Sequence, residues 1–196
     1  METEKKYELI PSDKEGLFRV KALRDFGNVK AGDMGGYVSG EHNLSHESNC
    51  WIYDNAEVYD NAEICGDALV FGNAVVCDHA VVYGNAVLCG DAVVRENAVV
   101  SGNAVVRGDA EVNGYTRICG NAVVESNKDY IVFKNNWSSG RYFTWTRSNN
   151  MWKVGCFYGS GDELIQKAYA DSELKGKMYE STVNYVKELL NNEKDL

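Results

Sequence analysis

The chain has 196 residues, with 20 Lys and Arg against 29 Asp and Glu, and a formal net charge of −9. This length supports one or two globular domains with a sizeable core, and no apolar run approaches the ~18–20 residues that a membrane span requires. The net negative charge argues against binding to a long nucleic acid. Because the charged N-terminus leads into no apolar signal segment, we expect a cytoplasmic protein whose six cysteines are reduced.

Residues 1–35 carry no internal repeat. Residues 7–10 and 17–23 are predicted to form short strands, the second of them with a clear alternation of apolar and polar side chains. The segment that follows is predicted below to be a stack of short strands. The first strand of such a stack exposes unpaired backbone groups unless it is covered. We therefore interpret residues 1–35 as an N-terminal cap.

Residues 36–126 are dominated by a six-residue repeat. Aliphatic side chains recur at strict six-residue intervals from Ile52 to Val124, at thirteen positions without an insertion. Two residues before each of them lies a small side chain: Cys50, eleven alanines, and Thr116 as the one larger exception. A helix cannot keep this pattern on one face, because six residues turn through about 600° at 3.6 residues per turn.

A short strand followed by a corner does satisfy the repeat. In the motif Ala-x-Val the first and third side chains lie on the same side of a strand, so Ala and Val point inward. The next two residues are mostly Gly followed by Asn or Asp, which tolerate the left-handed backbone angles of a sharp corner. The sequence therefore predicts a mainly β protein built as a solenoid of parallel strands.

This pattern of an aliphatic residue followed four positions later by a small one resembles the hexapeptide-repeat family. The resemblance implies a left-handed parallel β-helix with three hexads per coil, and it implies a homotrimer. The opening segment, residues 19–38, and residues 127–196 also resemble hexapeptide proteins of bacteriophage and prophage genes. That second resemblance suggests a biological context and no particular reaction.

Three hexads per coil sort the outward side chains into three faces. One face is apolar along its whole middle row, and its members are Leu69, Val87, Val105 and Val123. A continuous exposed apolar row is typical of an interface. We expect the C-terminal domain or a neighbouring subunit to cover it.

Hexapeptide proteins are often acyltransferases, in which the resemblance implies a catalytic histidine and acyl-CoA bound between subunits. The three histidines here are His42, His46 and His79. His79 stands in a corner where another polar turn residue would serve, and nothing nearby orients His42 or His46 as a base. We assign no catalytic residue, no cofactor and no metal site, and keep the acyl-CoA-dependent acyltransferase as an alternative.

Residues 127–196 have a different composition and predict a small α+β domain. Strands are expected over residues 129–133, 141–146 and 151–157, followed by two helices that begin near Asp162 and before Tyr179.

Residues 128–160 contain five basic residues and one acidic residue, a local charge of +4 in a chain of −9, with several aromatic side chains between them. Aromatic faces stack on bases, and Arg and Lys bind phosphate. The residues predicted to bind a ligand are Trp137, Arg141, Tyr142, Trp145, Arg147, Trp152 and Lys153.

An equally good interpretation of this segment is a small sheet whose aromatic residues form its core. We predict a non-catalytic binding protein of phage type that captures a small anionic ligand, most naturally a nucleotide-derived signal, as a possible sponge in counter-defence. A structural module that binds another protein is the remaining alternative.

Overall fold

The structure, a computed structural model, describes residues 5–194. At the N-terminal end a hairpin of β1 (Tyr7–Pro11) and β2 (Phe18–Ala22) pairs in antiparallel fashion with β3 (Met34–Val38). A short 3₁₀ turn, Glu41–Asn43, follows. The cap predicted from the sequence is therefore an antiparallel extension of the solenoid, because β3 is also its first parallel strand.

The solenoid is built from two-residue strands that are separated by corners, with about five turns in all. These strands are β4 (Trp51–Ile52), β5 (Glu57–Val58), β6 (Glu63–Ile64), β7 (Leu69–Val70), β8 (Val75–Val76), β9 (Val81–Val82), β10 (Val87–Leu88), β11 (Val93–Val94), β12 (Val99–Val100), β13 (Val105–Val106), β14 (Glu111–Val112), β15 (Arg117–Ile118) and β16 (Val123–Val124).

Each strand pairs in parallel with the strand one turn further along. The three sheets have the orders β1-β2-β3-β5-β8-β11-β14, β4-β7-β10-β13-β16 and β6-β9-β12-β15. The alanines and the aliphatic side chains two residues after them are completely or almost completely buried, so they fill the tube as the repeat predicts. The apolar row that begins at Leu69 remains half-buried, which means that the C-terminal domain does not seal it.

Glycine is required at several corners because successive turns stack there backbone on backbone. Gly90 has φ +74°, and a Cβ on it would lie 3.0 Å from the backbone N of Gly108 in the next turn. Gly114 has a similar φ of +66° but faces only the end of the Glu96 side chain, at 3.9 Å.

The C-terminal domain is a four-stranded antiparallel sheet followed by two helices. Its strands, paired in sequence order, are β17 (Tyr130–Lys134), β18 (Tyr142–Thr146), β19 (Met151–Val154) and β20 (Phe157–Gly159), and its helices are α1 (Gly161–Asp171) and α2 (Glu173–Lys194). The prediction of one strand over residues 151–157 was wrong, because Gly155 at φ 55° turns the chain and separates β19 from β20. No helix within residues 5–194 combines the length and the apolar character needed to cross a membrane.

One face of this sheet packs on the helices, and the other closes the last turn of the solenoid. The final strands have backbone N–H groups with no further turn to bond to, and side chains of the C-terminal segment accept one on each face. These bonds run from Glu111 N to Asn127 Oδ1 at 2.9 Å, from Arg117 N to Thr144 Oγ1 at 3.0 Å, and from Val123 N to Ser148 Oγ at 2.7 Å.

Candidate functional site

A cleft of about 370 Å³ opens where the last solenoid turn meets the C-terminal sheet. It is lined by Tyr115, Arg117, Arg141, Tyr142, Gly155 and Cys156. We call it the junction cleft, because its lining comes from both the solenoid and the C-terminal domain.

The solenoid side of the junction cleft comes from the hexad in which Thr116 replaces alanine. Thr116 is buried like the alanines of the other hexads, so its two neighbours point outward. Tyr115 is 51% exposed, and Arg117 is exposed at the start of β15. The hexad therefore presents an aromatic ring and a guanidinium on either side of one buried anchor.

The other side of the cleft is formed by the start of β18. Tyr142 stacks on Tyr115, with ring centroids 4.5 Å apart and planes at 18°. Lys134, across the hairpin, places its Nζ 5.3 Å from the centroid of the Tyr142 ring. Arg141 precedes β18, and its carbonyl accepts a hydrogen bond from Asn135 N at 2.9 Å, which closes the turn.

The cationic groups around the cleft have no carboxylate partner within the described part of the chain. Among residues 5–194, no ion pair involves Arg117, Lys134 or Arg141, whereas Arg95 pairs with Glu111, and Arg147 pairs with Glu193 at 2.7 Å. Uncompensated guanidinium groups beside a cleft are suited to an anion from solution, even in a protein with an overall excess of negative charge.

Two of the predicted aromatic residues lie elsewhere. Trp145 and Trp152 are only 1% and 2% exposed and form the core of the C-terminal domain with Phe143 and Leu164. The Trp145 Nε1 donates to Asn150 Oδ1 at 2.9 Å. Alternate residues of β18 and β19 face the helices, so both rings lie in the core of the domain, where they border a cavity of about 80 Å³.

The remaining predicted residues are dispersed. Arg147 follows β18 at the end opposite Arg141, and the six residue steps of extended chain between them place the two residues about 20 Å apart. Lys153 is half-buried on β19 opposite Thr144. Burial raises the pKa of the Cys119 thiol, and the positive charge of Lys153 opposes that rise. Trp137 is 84% exposed on the β17–β18 turn.

The structure thus brings together two of the predicted residues, Arg141 and Tyr142, and adds Tyr115, Arg117 and Cys156. The signal for the first two additions was present in the sequence, as the single departure from the small-residue rule at Thr116. Nothing in the sequence indicated Cys156, which reaches the cleft only because Gly155 turns the chain.

None of the histidines lines the junction cleft. The His42 Nε2 lies 2.6 Å from the carbonyl oxygen of Asp60, and His46 stacks on Tyr7 with ring centroids 4.2 Å apart. His79 occupies a corner between β8 and β9. Within the part of the chain that is described, no three His, Cys, Asp or Glu side chains are grouped to hold a metal ion.

Comparison with known proteins bears on the repeat. A family model described as YdcK Beta solenoid repeat matches residues 62–78. This stretch is similar to a β-solenoid repeat. No curated protein matches the chain.

Proposed function

We propose that this protein captures a small anionic ligand in the junction cleft without converting it chemically. The observation that supports the proposal is that two guanidinium groups, which pair with no carboxylate of residues 5–194, lie beside two stacked tyrosine rings in one cleft. The guanidinium groups belong to Arg117 and Arg141, and the rings to Tyr115 and Tyr142. Guanidinium groups bind phosphate oxygens in a bidentate manner. An exposed tyrosine ring adds a surface on which a planar base stacks.

A nucleotide-derived molecule combines these two features, since it carries both a phosphate and a planar base. A cleft of about 370 Å³ suits a ligand of this size rather than a polymer. With the resemblance to phage and prophage proteins, we propose that the protein works in the bacterial cytoplasm and lowers the free concentration of a nucleotide signal of host defence. In this proposal it is a homotrimer that associates through the apolar row beginning at Leu69.

A thermal-shift screen tests the proposal with cyclic nucleotides, ADP-ribose and acetyl-CoA as probes. A ligand present at 100 times its Kd stabilises the folded state by about 2.7 kcal/mol, so a nucleotide that binds should raise the melting temperature. We expect Arg117→Gln and Arg141→Gln each to abolish the shift.

Arg147→Gln is the matched control, because it removes a guanidinium next to the same strand but away from the cleft. If Arg147→Gln abolished the shift and Arg141→Gln did not, the proposed location would be wrong. A shift with acetyl-CoA, together with turnover that a histidine substitution removes, would favour the acyltransferase instead. If no probe shifted the melting temperature, the remaining interpretation would be a structural module that binds another protein.

A further inference from the structure

A completely buried lysine and a completely buried cysteine meet beneath the N-terminal cap. Lys6 directly precedes β1. Cys50 precedes β4, at the repeat position where eleven other hexads have alanine. The Lys6 Nζ lies 3.3 Å from the Cys50 Sγ. An amine and a thiol are therefore in contact in a place where the fold would accept an alanine.

The groups in direct contact with the Lys6 amine are uncharged, and the charges of Arg24 and Asp67 act on it from further away with opposite sign. Its Nζ donates to the carbonyl oxygens of Cys50 at 2.9 Å and of Glu47 at 3.4 Å, and it lies 5.1 Å from the centroid of the Phe26 ring. No carboxylate of residues 5–194 pairs with it. A buried ammonium without a counter-ion is costly, and burial accordingly lowers the pKa of Lys6.

The neutral form of the amine fits this geometry. Two N–H groups are taken by the two carbonyl oxygens, and the third tetrahedral direction faces sulfur. The Nζ is placed to donate its third N–H to the Cys50 Sγ at 3.3 Å, and loss of that proton leaves the nitrogen lone pair facing sulfur. His46 helps to hold the lysine in place, because its Nδ1 accepts a hydrogen bond from the Lys6 backbone N at 3.2 Å.

We propose that Lys6 and Cys50 are a modification site at which peroxide joins Nζ directly to Sγ. In the first step the Lys6 amine takes the proton of the Cys50 thiol, the thiolate takes one oxygen from hydrogen peroxide, and the hydroxide that is released takes the proton back from Lys6, which gives Sγ–OH, a neutral amine and one water. In the second step the Lys6 lone pair attacks Sγ and the S–O bond breaks. The hydroxide that leaves takes a proton from nitrogen and departs as a second water.

The overall reaction is balanced. Sulfur loses two electrons, the peroxide gains them, and the thiol and the amine each lose one hydrogen. Peroxide is close to water in size and reaches the pair through local opening of the cap, as small molecules reach other buried groups. The new bond ties residue 6 to residue 50, and it restricts the unfolded chain in the way that a disulfide does.

The test is to treat the full chain with hydrogen peroxide and to map its peptides by mass spectrometry without reductant. We expect a linked species that contains Lys6 and Cys50, with a mass about 2 Da below the sum of the two peptides, and we expect a thiol reductant to reverse it. The melting temperature should rise on oxidation. The exposed thiol of Cys156 is an internal control for the reactivity of the oxidant.

Two variants complete the test. Cys50→Ala installs the residue that other hexads have at this position, so it should fold, and it should show neither the linked species nor the rise in melting temperature. Lys6→Met should leave Cys50 unlinked. The proposal is overturned if Cys156 is oxidised while Cys50 stays a thiol, becomes a sulfinic acid without a link, or forms a disulfide.

Discussion

The hydroxyl of Thr144 accepts a hydrogen bond from the backbone N–H of Arg117 at 3.0 Å. This bond joins the centre of the C-terminal sheet to the last turn of the solenoid, and the side chain of Arg117 lines the junction cleft. One of the three contacts that close the solenoid therefore also fixes one wall of the candidate site relative to Tyr142 on the other wall.

Thr144→Val should destabilise the protein by about 1–3 kcal/mol, because the partly buried N–H of Arg117 loses its acceptor while the shape of the side chain is kept. Thr144→Ser keeps the hydroxyl, so its free energy of unfolding should fall clearly less. Urea unfolding of both variants measures the difference. Equal stability of the valine and serine variants would show that the bond contributes nothing.

Two glycine-to-alanine substitutions should separate backbone strain from stacking between turns. Both Gly90→Ala and Gly114→Ala place a Cβ on a residue with positive φ, which costs about 1–2 kcal/mol. Gly90→Ala also pushes that Cβ to 3.0 Å from the backbone of Gly108, and we expect it to cost about 1–3 kcal/mol more. Thermal unfolding of the two variants tests this, and equal losses would argue against close stacking.

His46 should make the stability of the N-terminal cap depend on pH. Burial lowers the pKa of His46 below its usual value of 6.5, and the charges of Lys5 and Arg24 lower it further, while Glu41 opposes them. The unfolded chain then binds the proton more readily, so the stabilisation is fully present above pH 6.5 and declines as the pH falls towards the lowered pKa of the folded state.

Chemical denaturation between about pH 5 and pH 7 measures this decline. His46→Asn retains an acceptor near the position of Nδ1 but does not titrate, and it should remove the His46 contribution. A variant with the same pH profile as the unmodified protein would contradict the prediction.

The proposed trimer can be tested on the apolar row. Val87→Glu combined with Val105→Glu places two charges in the expected interface, where like charges from neighbouring subunits repel. Light scattering should show a trimer for the unmodified protein and a monomer for this double variant. Val81→Glu combined with Val99→Glu makes the same change on another face and should leave the trimer intact. A monomeric unmodified protein would refute the proposal.

The solenoid was predictable almost residue by residue, because each hexad repeats the same local rule and its partner always lies one turn away, at a fixed spacing of 18 residues. The junction cleft was not. Arg141 and Tyr142 came from local charge and aromatic content, but Tyr115 and Arg117 lie some 25 residues earlier and meet them only through the packing of β18 on the last turn. Trp145 and Trp152 were misplaced for a related reason, since alternation along a strand does not say which side a later helix will cover.

The three side chains that accept the final backbone N–H groups, Asn127, Thr144 and Ser148, decide where the stack of turns ends. A repeat of this kind has no internal reason to stop, since every turn offers the next one the same set of donors and acceptors. With one donor of each face occupied in this way, a second molecule finds no complete row of free N–H groups on which to add its first turn. Assembly through backbone pairing into fibres is therefore hindered at this end of the solenoid.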